Sequence, residues 1–134
     1  MSEGELIRTA LYDAHVERGG NIVDFHGFEL PIWYTSMMEE HLNTRENAGL
    51  FDVSHMGFFR FTGENVRLWM DDVGTQKASA IPPGRCAYTH FLDQEGLIID
   101  DMIFCVVSET EILGVPNASM INHMWEHFHT NIVE

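Results

Sequence analysis

Apolar positions recur at helical spacing at the start of the chain, where Leu6, Ala10, Leu11, Ala14 and His15 share a face and Gly19-Gly20 supplies a stop. NIVDF and FELPIWY then flank His26-Gly27, the pattern of a tight turn between two extended segments, with Pro31 confining the second to an edge or irregular strand. Ser36 followed by Glu39 fits a capping box, and MMEEHLNTRENA runs helically to Gly49. LFDVSHMGFFRFTG leads out of that helix, with Met56, Phe58, Phe59 and Phe61 expected to pack in a strand. Gly63 to Asp72 reads as a short amphipathic helix, and IPPGR as a loop. Two long strands follow, RCAYTHFLD and LIIDDMIFCVV, joined at Gln94-Glu95. A third, EILGVP, precedes a helix that begins near Asn117-Ala118 and holds Met120, Met124, Trp125 and Phe128. Helices mixed with mostly antiparallel, hairpin-linked strands predict an α+β fold.

Composition narrows the class. With 134 residues, 45% of them hydrophobic, the chain can form a globular unit that buries roughly two-thirds of its unfolded surface. Twenty-one acidic against seven basic residues give a formal net charge of -14, which repels nucleic acid. Cys86 and Cys105 lack metal-type spacing and scaffold density, so free thiols in a reducing cytoplasm are expected. MSEGELIRTA has no apolar signal region, and no run is long enough to span a bilayer, so no membrane partner is expected.

The chemistry centres on Asp100 and Asp101, two carboxylates inside an apolar strand. If Asp93 pairs with Gly96 across a two-residue turn, Tyr88 stands opposite Asp101 on a face shared with Leu97, Ile99 and Ile103, while Asp100 points the other way beside Thr89. Burial there raises a carboxyl pKa, and a hydrogen bond from Tyr88 lowers it. A one-residue slip exchanges the two aspartates. Hydrated carboxylates at a bulge or edge fit the same pattern, so a site and a structural feature both remain open. His123 and His127 have the spacing of metal ligands on a helix but no evident Cys or Asp partner, and solvated or core-edge histidines are the alternative. Ser54-His55 is structural or ligand-lining, since neighbours on a strand face opposite ways. Met37, Met38, Met120 and Met124 are expected to fill a core. No phosphate-cradling glycine loop is present, and no metal is expected.

FHGFELPIWYTSMMEEHLNTRENAGLFDVSHMG resembles the N-terminal signature of the glycine-cleavage T-protein family, folate-dependent aminomethyltransferases with V-D-F-x-G-W-x-x-P followed by R-x-x-x-G-[LM]-F-D-V-S-H-M-G. CAYTHFLDQEGLIIDDMIF is similar to the family's A-x-Y-[ST] and I-[IV]-D-D-L strands, and VPNAS to its V-V-N-A-[AS]. The resemblance implies the N-terminal part of a three-domain folate-binding architecture. Residues 1–50 would start the first domain, and 51–134 would form a strand-rich second domain with a closing helix. It implies tetrahydrofolate as one-carbon acceptor, Asp101 as the catalytic carboxylate, and Met56, Tyr88, Asp101, Ile103 and Asn117 as folate-contacting positions. The implied partner is a lipoylated H-protein that delivers an aminomethyl group as ammonia leaves. The family is about three times longer and uses pocket residues from later segments. The resemblance therefore also implies a companion chain or self-association that completes the pocket. A folate-binding or interaction module without turnover, and a folate-dependent demethylase of another methyl donor, are the alternatives. Gly74-Thr75-Gln76, Gly96-Leu97, Cys105 and Pro116 depart from the family's pattern. Exposed apolar surface is expected around Phe25, Trp33 and Tyr34.

Overall fold

A computed structural model describes residues 5–132, which divide into two compact units, 5–55 and 56–132. Met1–Gly4, the start of the acidic N-terminal segment, lie outside the described residues.

In the first unit, β1 (Ile7–Arg8) precedes α1 (Tyr12–Glu17), the hairpin of β2 (Ile22–Phe25) and β3 (Phe28–Pro31), and α2 (Met37–Glu46). The hairpin turns at His26-Gly27 as the sequence predicts. Both residues have positive φ, 53° and 88°, the backbone that a two-residue primed turn needs, and Asp24 Oδ1 accepts from Gly27 N at 2.8 Å. The first helix is shorter than its periodicity suggests. Ile7 and Arg8 leave it to pair in parallel with Phe28 and Glu29, extending the sheet past the hairpin. Helix α2 starts where expected, with Ser36 Oγ accepting from Glu39 N at 3.2 Å. Glu40 Oε1 further accepts from the backbone of Tyr34 and Thr35, at 2.6 and 2.7 Å. The helix buries none of its side chains: Met37 and Met38 are exposed rather than core, because MMEEHLNTRE has no apolar stripe to bury. Phe25 and Tyr34 are exposed and Trp33 half-buried.

The second unit is a four-stranded antiparallel sheet in the order β4-β7-β6-β5, built from β4 (Phe59–Thr62), β5 (Arg85–Leu92), β6 (Ile98–Ser108) and β7 (Glu111–Pro116). Helix α3 (Val66–Val73) and the C-terminal α4 (Ile121–Thr130) supply Met70, Met124 and Phe128 to a core with Phe59, Phe91, Met102, Phe104, Val106 and Ile112. Each large side chain buried there contributes about 1.5–3 kcal/mol. Met124 is fully buried and Met120 packs against the core, whereas Phe58 stays 68% exposed, because the strand's inward-facing positions are Phe59 and Phe61. Gly74-Thr75-Gln76 runs along the outer edge of β5, with Thr75 N donating to His90 O at 3.0 Å, and so covers a strand edge.

Candidate functional site

The register of the β5–β6 hairpin decides which aspartate faces what. The turn holds three residues instead of two: Gly96 adopts φ 82°, Asp93 N donates to Leu97 O at 2.9 Å, and Asp93 Oδ1 accepts from Glu95 N and Leu97 N. A bulge between Phe91 and Leu92 adds one residue more, so Tyr88 pairs with Ile103 and His90, not Tyr88, stands opposite Asp101. The expected register is therefore corrected by two residues. Two is the side-chain period, so the shift leaves Tyr88 and Asp101 on one face, as diagonal neighbours within reach of each other.

Tyr88 donates its phenolic O–H to Asp101 Oδ2. That bond pushes the Tyr88 pKa above its ordinary value, with burial and the charges of Asp101 and Asp100 adding to it, so the phenol remains a donor. Asn117, at the end of β7, donates Nδ2 to Asp101 Oδ1 at 3.1 Å and to Asp100 Oδ1 at 2.8 Å. One amide thus spans both carboxylates. The faces differ from the expectation in one respect. Asp100, with Met102, Phe104 and Val106, belongs to the covered face and is 6% exposed, while Asp101 is half-buried beside Tyr88 and Ile103 on the open one. Asp100 Oδ2 is buried with no hydrogen-bond partner among the described residues.

Gly57 fixes the start of the second unit against the end of β7. Its N–H donates to Pro116 O at 3.1 Å, and a Cβ there would meet Pro116 Cγ at 2.7 Å and Ile121 Cγ1 at 2.9 Å. Only glycine allows that approach, which sets Met56 beside the strand end that carries Asn117. Met56 is half-buried and Ile103 48% exposed, so the open face offers apolar surface next to the fixed carboxylate.

Sequence reasoning missed a second polar centre, within the first unit. His15 Nε2 meets Asp52 Oδ2 at 2.9 Å and His15 Nδ1 meets Tyr34 Oη at 2.6 Å, the His15 and Asp52 side chains being 8% and 5% exposed. Thr9 Oγ1 and Ser54 N also donate to Asp52. Burial works to raise the Asp52 pKa, but the hydrogen bonds from Ser54, His15 and Thr9 outweigh it and hold the carboxyl well below its ordinary range. Ser54 stands in a turn, where its backbone N–H meets Asp52 Oδ1 at 2.9 Å. His55 packs edge-on against Phe25 and Phe28, and burial lowers its pKa.

His123, His127 and His129 do not converge on one point. His129 Nδ1 bonds Trp125 O at 2.8 Å, and burial first, then the charge of His123, lowers the pKa of His127. No group of three or more metal-ligating side chains gathers among the described residues. A groove of about 790 Å³ lies along β4, α3 and α4, lined by aromatic side chains including Phe58, Trp69 and Trp125, and Tyr88, Asp101, Ile103 and Asn117 are not in its wall.

The second unit is an antiparallel sheet covered on one face, with a carboxylate, a phenol and an amide hydrogen-bonded together on the other. Comparison with known proteins gives the family. A family model described as the GCVT N-terminal domain matches residues 11–134, and the chain belongs to that family. An aminomethyltransferase of Deinococcus deserti is 40% identical over 128 residues, covering 96% of this chain and 36% of the relative. One from Thermotoga maritima is 42% identical over 114 residues, covering 85% and 31%. The crystal structure of the glycine cleavage system aminomethyltransferase T from Bartonella henselae superposes with a TM-score of 0.88 at 28% identity, over 94% of this chain and 35% of that one. The chain thus spans about a third of the length of these relatives. No helix among the described residues is long and apolar enough to cross a membrane.

Proposed function

We propose that this chain carries the folate-facing part of an aminomethyltransferase, and that the open face of β5 and β6 holds the ring system of tetrahydrofolate. The observation that carries the proposal is Asp101, a carboxylate on an accessible strand face held from two sides by Tyr88 and Asn117. These residues fit the group. A carboxylate offers about four lone-pair sites, so two remain for N–H donors of a heterocycle, and Ile103 and Met56 supply apolar contact to its faces. When bound, tetrahydrofolate supplies the nitrogen that accepts the one-carbon unit. Asp101 orients that ring and holds or returns a proton at its carboxylate, a positioning and general acid–base role. Tyr88 and Asn117 fix the rotamer of Asp101 without competing for its proton.

The proposed one-carbon donor is the aminomethyl group on a lipoylated H-protein, in a cytoplasmic setting. Leu50, Phe51 and Val53 of the first unit are all more than 60% exposed, which favours their being covered by a companion chain or a second copy. The test is a single-turnover assay of the purified chain with aminomethyl-lipoyl H-protein and tetrahydrofolate, run beside light scattering. Release of ammonia with formation of methylene-tetrahydrofolate is the expected result. Folate binding without turnover would leave a binding module, and absence of both would overturn the proposal.

A further inference from the structure

Cys86 and Cys105 face each other directly across β5 and β6. The hydrogen-bonding phase of that pairing follows from the backbone. His90 N donates to Thr75 Oγ1 and His90 O accepts from Thr75 N, at 3.1 and 3.0 Å, so both groups point away from β6. The His90–Asp101 pair is therefore non-hydrogen-bonded, and the alternation of an antiparallel ladder makes Tyr88–Ile103 and Cys86–Cys105 non-hydrogen-bonded too. Pairs of this kind bring Cα atoms to about 4.5 Å with side chains close together. That lies inside the roughly 4.4–6.8 Å window a disulfide accepts.

We propose that Cys86 and Cys105 form a reversible cross-strand disulfide, a redox-responsive modification site on the same sheet face as Tyr88 and Asp101. The oxidant class is a small aliphatic disulfide of the glutathione type. The Cys86 thiolate attacks one sulfur of that disulfide, the small S–S bond breaks, a mixed disulfide forms on Cys86, and the first small thiolate leaves and takes up a proton. The Cys105 thiolate then attacks Cys86 Sγ, the Cys86–Cys105 bond forms, and the second small thiol departs. Two protein thiols are oxidised, one small disulfide is reduced to two thiols, and protons balance. Cys86 is exposed and Cys105 half-buried, which sets the order of attack. The hydrogen bond to Cys86, with burial, pushes the Cys105 thiol up, in keeping with its role as the second group to react. A bond of this kind is reducible by the same thiol pool, as expected of a sensor rather than a scaffold disulfide.

The test is intact mass and free-thiol titration of the purified chain after equilibration in buffers of graded oxidised-to-reduced glutathione ratio. The expected result is loss of both thiols with loss of two hydrogen atoms and no glutathione adduct. Digestion should yield one linked peptide holding Cys86 and Cys105, and reduced glutathione should reverse the change. Cys105→Ser should stop at a single adduct on Cys86. Two adducts on the unaltered chain, links formed only between chains, or two free thiols at a ratio that modifies Cys105→Ser would each overturn the proposal. The unaltered chain decides the question even if the variant does not fold.

Discussion

Asp101→Asn weakens tetrahydrofolate binding by about 10- to 150-fold, the equivalent of roughly 1.5–3 kcal/mol for hydrogen bonds to a charged group. Asp100→Asn changes it by less than about threefold. The contrast follows from the faces of β6. Asp101 shares the open side with Tyr88 and Ile103, where its free lone pairs are available to a ligand. Asp100 is turned to the covered face of the sheet and spends Oδ1 on Asn117, which an asparagine oxygen at the same place still satisfies. Neutralising Asp101 removes the charge that the ligand's N–H groups meet, and any proton transfer by that carboxylate is lost with it. Isothermal titration of the two variants beside the unaltered chain measures the ratio. Equal losses would mean that the two faces do not divide the labour as described.

The second large effect falls on folding. Asp52→Ala removes the acceptor shared by His15, Thr9 and Ser54 in a unit where, among the described residues, Leu30 is the buried aliphatic side chain. Leaving a buried hydrogen-bonding group without its partner costs about 1–3 kcal/mol. Asp52→Asn keeps an acceptor and costs less. The same group sets a pH dependence. Its folded pKa lies below the ordinary carboxylate value of 3.8, so its contribution is fully present above that value and is lost as pH falls through the folded pKa. Thermal melts between roughly pH 2 and 5, the window below the ordinary carboxylate value, should show the unaltered chain losing stability toward acid, and Asp52→Asn doing so less steeply. Parallel melting curves across that range would remove Asp52 from the account.

Much of this architecture is legible in the sequence because the signals are local. Ser36 and Glu39, His26-Gly27 and the three strand runs each carry their own turn or cap chemistry, and each element formed where that chemistry stands. Asp101 and Tyr88 came together although the predicted register was wrong, since an extra turn residue and a bulge moved the pairing by one full side-chain period. The side of β6 that forms the core was not legible, because Ile99, Met102, Ile103 and Phe104 supply apolar side chains to both faces. The His15–Asp52 link joins residues far apart in the chain, and nothing in the helical spacing of His15 distinguishes a network member from a core-edge side chain. The two-residue β1 has no periodicity to read, and the facing of Cys86 and Cys105 emerges only once the register is known.

The central claim is that the open face of β5 and β6 receives a folate ring beside Asp101. Backbone and side-chain amide NMR of the labelled chain during titration with tetrahydrofolate tests it most directly. The largest shifts should fall on Tyr88, His90, Asp101, Ile103 and the Asn117 side-chain amide, with little change at Met102 and Phe104 beyond transmitted effects. Shifts confined to the aromatic groove of Phe58, Trp69 and Trp125, or none at saturating ligand, would contradict it.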